Sequence, residues 1–194
     1  MTPPRRALLA IATLFALTAT LACGRERSYA RDAIPAELAT PVANAEVAMD
    51  ALQQRLAARL GEALAQGGPA GAVTVCTDDA PKIASDVASE FGVAVGRTSH
   101  KLRNGANAPR PWLEPFVGAA MTEPLTGTTV VELEGKVGVV RPILTQARCL
   151  QCHGDSTAIA ADVAVLLHRT YPEDRAVGFT EGQLRGFLWA EAPR

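Results

Sequence analysis

From Asn44 onward, hydrophobic positions recur at helical spacing. Leu52, Leu56, Leu60 and Leu64 fall on one stripe while Gln53, Arg55, Arg59 and Glu62 take other faces. The pattern predicts a long amphipathic helix, stopped by Gly67-Gly68-Pro69. Ala72 to Val75 reads as a short β-type run leading into Cys76, and Thr77 or Asp78 is placed to cap a second helix with Pro81 in its first turn. Ile83, Ala84, Val87, Ala88 and Phe91 form the buried stripe of that helix, which Gly92 closes. Cys76 is therefore expected at a strand-to-helix junction.

Val93 to Val95 reads as a further strand, followed by the polar, basic stretch Arg97 to Asn104 and a loop rich in Asn, Ala and Pro. Pro111 to Met121, with Trp112 and Phe116, reads as a helical turn or short helix. Val130 to Glu132 and Val137 to Ile143 flank Glu134-Gly135-Lys136, which suits a hairpin. Thr157 to His168 has helical periodicity ended at Tyr171-Pro172, and Leu184 to Trp189 is a last strand entered through turns at Gly178 and Gly182. The order implies an α+β fold with a small antiparallel sheet.

The amino terminus has a different character. Arg5 and Arg6 precede an apolar run from Ala7 to Leu21, short for a bilayer span and suited to the core of a signal peptide. Thr20-Leu21-Ala22-Cys23 resembles a bacterial lipobox, in which Cys23 becomes the lipidated first residue of a membrane-anchored chain. The lipobox pattern prefers Leu where Thr20 stands. Cleavage after Ala30 would instead remove Cys23, and a third history leaves the segment as an uncleaved anchor. All three place the domain outside the cytoplasm, in the periplasm. The expected division is a signal peptide over 1–23, a tether over 24–41 and one domain over 42–194.

Composition narrows the function class. The 194-residue chain carries 19 Lys and Arg against 20 Asp and Glu, so no basic excess points to nucleic acid. A hydrophobic share of 48% supplies a core.

The chemistry concentrates in Cys149-Leu150-Gln151-Cys152-His153, a C-x-x-C-H run. Two thiols at this spacing can add to the vinyl groups of one haem while the adjacent imidazole reaches the iron, so the run is read as a c-type haem attachment site. A redox dithiol would sit where a first strand enters a helix, and zinc would want two further ligands at regular spacing. His153 is the expected axial ligand, its ring fixed by a partner such as a backbone carbonyl.

With Cys149 and Cys152 taken by haem and Cys23 by lipid or cleavage, Cys76 is the cysteine left over among the chain's four. A helix N-terminus would favour its thiolate, Asp78 and Asp79 would oppose it, and a buried space-filling thiol is the alternative. His100, His168, Met49 and Met121 are other conceivable distal ligands. Arg97, Lys101 and Arg103 are candidates for the haem propionates, or else a solvated charge run. Asn104 suits loop geometry.

Taken together, several segments resemble the PAS-like c-type haem-binding domain family, formerly a domain of unknown function. They are Gly68-Pro69-Ala70-Gly71-Ala72-Val73-Thr74-Val75-Cys76 with Ala80-Pro81, Gly96 to Asn104 with Asn107-Ala108-Pro109, the haem motif, and Tyr171 to Phe179 with Leu184-Arg185-Gly186. The resemblance covers about Asn44 to Trp189 and is of the stand-alone exported type. It implies a five-stranded antiparallel sheet flanked by helices, one covalently held haem c, and iron between His153 and Cys76.

The functional expectation is an exported single-haem protein, not an enzyme, that responds to redox state or to a small gaseous ligand. Such a module works through a redox or signalling protein partner. A plain electron-transfer cytochrome shares every residue named, and a haem enzyme would require an open distal site.

Overall fold

The computed structural model describes residues 26–194. The expected signal peptide and lipobox, with Cys23, lie outside the described residues. Among those described, no helix is long and apolar enough to cross a membrane.

Five antiparallel strands form one sheet in the order β1-β3-β4-β5-β2. They are β1 Ser28–Ala30, β2 Ala94–Thr98, β3 Thr129–Leu133, β4 Lys136–Leu144 and β5 Leu184–Pro193. The helices are α1 Ala39–Thr74, α2 Ala80–Phe91, α3 Glu114–Ala119, α4 Leu150–His153 and α5 Ala161–Thr170. The expected α+β, PAS-like arrangement holds, including the hairpin of β3 and β4 around Gly135.

α1 and α2 cover one face of the sheet. Val42, Met49 and Leu52 of α1 and Val87 of α2 pack with Val130, Val137, Val139, Leu188 and Ala190 of the strands. Side chains alternate across a strand, so Val131, Val140 and Phe187 turn to the opposite face, where Trp112 and Leu113 cover them. β4 is buried on both faces along Val137 to Val140, which explains its continuous apolar run.

Two expectations change. The segment expected as a tether is folded onto the domain: Ser28–Ala30 pairs with Thr129–Val131, and Leu38 is fully buried. β3 would otherwise present an unpaired edge, and a three-residue strand satisfies it. Second, Ala72 to Val75 is helical. The chain breaks at Gly68, whose φ of 62° and ψ of −166° leave the helical region, and Pro69 restarts the helix. The new turn runs through Thr74 into a π-helical turn, Val75–Asp79, and on into α2. Val73 is held helical by packing with Val163, Leu167 and Tyr171. Cys76 therefore lies within the π-turn, not at a strand end, and no free helix N-terminus faces it. Pro81 in the first turn of α2 and the αL Gly92 at its end stand as expected, whereas neither Thr77 nor Asp78 caps it.

β5 runs past Trp189 to Pro193 because Glu191 is neutralised inside the fold. It accepts from Trp112 Nε1 at 2.8 Å and pairs with Lys136 and, at 3.4 Å, Arg110. Burial would raise its carboxyl pKa, but these partners win and hold it below the usual value.

Candidate functional site

α4 is a single helical turn entered through the 3-10 turn Ala147–Cys149, and it delivers Cys149, Cys152 and His153 together. All three line a cavity of about 260 Å³ between the end of α1, the sheet and α5. Cys76 enters the same cavity from the π-turn. Leu60, Leu64, Val73, Ile143 and Leu167 give it an apolar wall. Cys76, Cys149 and Cys152 are free thiols.

The His153 ring is oriented from behind. Its Nδ1 lies 2.7 Å from the Ala176 carbonyl oxygen, so that nitrogen donates and Nε2 keeps the lone pair a metal takes. Burial, then the charges of Arg185 and Arg103, push its pKa down to about 3, keeping the imidazole neutral. Ala176 belongs to a strap, 174–179, that is stitched to α4. Phe179 N–H donates to the His153 carbonyl at 2.9 Å, and Gly178 N–H donates to that of Gly154 at 2.7 Å.

Burial raises the Cys152 thiol pKa, with Arg103 opposing. The Cys152 thiol is therefore disfavoured as a thiolate. Among the described residues, no group of three or more His, Cys, Asp or Glu is arranged to hold a bare metal ion.

The basic stretch divides by role. Arg97 lines the cavity, has no salt bridge among the described residues, and is pushed below its ordinary pKa by burial, with Cys76 and Tyr171 opposing. Arg103 also lines the cavity but pairs with Asp174, Nε to Oδ2 at 2.9 Å, and donates to the Cys152 carbonyl. Lys101 points elsewhere: its Nζ donates to the Val177 carbonyl at 3.3 Å and sits 4.9 Å above the Phe179 ring. Asn104 shapes the loop, its side chain accepting from Ala106 N–H at 2.9 Å.

The other conceivable distal ligands do not line the cavity. Met49 is fully buried in the main core, Met121 is 72% exposed, and His168 lies exposed on α5. His100 packs edge-on against Phe179, ring centroids 5.8 Å apart, with its buried Nδ1 unpartnered.

Arg185 carries a role the sequence reading missed. It lines the cavity from β5, donates to Ser99 Oγ at 3.1 Å, and has a pKa lowered to about 10 by burial and by Arg103 and Arg97. Its place in Leu184-Arg185-Gly186, a cation opening an apolar strand, was the available signal.

This donor set fits a haem. Two thiols and an imidazole stand on one turn, a further thiol faces the same space, and Arg97 and Arg185 bring half-buried positive charge that is not paired with a carboxylate among the described residues. Two propionates would supply it.

A family model described as Tll0287-like matches residues 18–193. A solved structure described as the crystal structure of the cyanobacterial heme-protein Tll0287 matches with a TM-score of 0.57 and 28% identity, over 84% of this chain and 98% of that one. No curated protein matches. Fold, motif placement and a family match over nearly the whole described chain agree, and the chain belongs to the Tll0287-like family.

Proposed function

We propose that the protein is an exported, lipid-anchored haem protein carrying one haem c, tethered by Cys149 and Cys152 and ligated by His153 and Cys76, that responds to redox state or to a small gaseous ligand. The observation that carries this reading is the convergence of those four side chains on one cavity. When bound, the haem supplies one-electron Fe(III)/Fe(II) chemistry.

The chain's own residues do the rest. The two thioethers keep the group in place outside the cytoplasm. His153, held by Ala176, presents Nε2 in one orientation. Arg97 and Arg185 would hold the propionates, and the apolar wall would limit water around the group. Cys76 is the responsive member: as a thiolate it is a strong donor favouring Fe(III), and as a protonated thiol it is a weak one. Its π-turn suits this, because the irregular turn is backbone that need not conform to a regular helix. A signalling or redox protein receives the output, and the protein is not an enzyme. A plain electron carrier would instead keep Cys76 bound in both oxidation states.

Absorption and EPR spectra of the oxidised protein test the ligand assignment. Wild type is expected to show a low-spin thiolate signature that Cys76→Ala lacks, and the reduced wild type should bind CO. Identical spectra for the two proteins would remove Cys76, and reduced protein that never binds CO would favour the carrier.

A further inference from the structure

The strongest arrangement outside the immediate ligand set is a charged pair behind His153. Asp174 and Arg103 are both nearly enclosed, with side chains 12% and 8% exposed, and form an ion pair from Nε to Oδ2 at 2.9 Å. Each reaches Ala176, the residue whose carbonyl holds the imidazole. Asp174 Oδ1 accepts from the Ala176 N–H at 2.8 Å, fixing the peptide that leads into the residue, and Arg103 donates to the Ala176 carbonyl at 3.4 Å as well as to the Cys152 carbonyl. The Ala176 oxygen thus serves two donors, His153 Nδ1–H and Arg103. The strap is anchored again by Arg175 N–H on the Leu102 carbonyl at 2.9 Å.

We infer that the Asp174–Arg103 pair is a positioning device for His153, setting its electron donation to the iron through the shared Ala176 carbonyl. The inference rests on the haem reading given above. A stronger acceptor at Nδ1–H gives the ring more imidazolate character and favours Fe(III). Arg103 draws on the same oxygen and weakens that acceptor, while its charge favours Fe(II). Asp174 offsets both effects. Arg97 and Arg185 also face His153, so the local field is positive and Asp174 is the carboxylate paired within it.

The opposed roles give opposed signs, which simple loosening of the strap would not. Midpoint potentials measured on haem-loaded protein test this. Asp174→Asn leaves Arg103 uncompensated and should raise the potential. Arg103→Gln removes the competing donor and the positive charge and should lower it. Arg103→Lys should return most of the way to wild type, and the double variant Arg103→Gln/Asp174→Asn should lie between the singles. Shifts of the same sign in both singles, or no shift in either, would overturn the inference while leaving the haem reading intact. Wild-type protein that carries no haem after maturation would instead overturn the haem reading, and the inference with it.

Discussion

At the scale of single residues, the site is set by what lies next to each ionisable group. Cys149, Cys152 and His153 were legible as a unit because covalent adjacency forces them together. Cys76 was legible as a leftover thiol and by resemblance; its local setting was not, since the expected strand-to-helix junction is a π-turn. One of the two acids thought to oppose it, Asp79, is paired with Arg59 at 2.7 Å. Arg185 escaped because a cation opening an apolar strand is a weak signal until the assembled sheet turns it into the cavity. Glu191 offers a stability test away from the site. Its folded pKa is depressed, so its contribution is present above the ordinary value of 4.5 and is lost as pH falls through the folded value. Glu191→Gln is expected to destabilise by about 1–3 kcal/mol in denaturant melts at pH 7, modest because Lys136 and Arg110 remain partly wet. That difference should shrink in acid.

At the scale of elements, legibility followed length and periodicity. The long helix, the hairpin and α2 announce themselves through many repeated positions. Ala72 to Val75 does not, because four apolar residues fit a strand or a buried helical turn equally well, and packing on α5 decides. β1 is three residues long and takes its identity from the edge it covers, which no local pattern encodes. Glycine sets two close tolerances. Gly68→Ala is expected to cost about 1 kcal/mol in thermal or chemical melts, since its φ of 62° suits no side chain. Gly186 in β5 is tighter, because an added Cβ would collide with the Thr98 carbonyl across the β2–β5 pairing. Gly186→Ala should cost roughly 1–3 kcal/mol and disturb haem spectra, because this crossing lines the cavity.

At the scale of the whole molecule, the sheet and α1–α2 form one core, while the cavity is closed by pieces from distant parts of the sequence. Those pieces are the π-turn near residue 76, the basic stretch near 100, the turn at 149–153 and the start of β5 at Arg185, with the strap at 174–179 backing His153 from outside. Half-buried Arg97 and Arg185 form no salt bridge among the described residues, so their partial desolvation is a cost that propionates would relieve. Haem-loaded protein is expected to melt higher than protein made without haem attachment. An offset of about 2 kcal/mol would raise the midpoint by ~4–8 °C. Equal melting temperatures would mean that the cations do not meet the haem. The central claim is a covalent haem on Cys149 and Cys152, and intact-mass analysis of protein matured in a host able to attach haem tests it most directly. Wild type should carry the added mass of one haem and stay coloured through acid–acetone extraction, and Cys149→Ser/Cys152→Ser should do neither; a wild-type chain of unmodified mass and no colour would contradict the account.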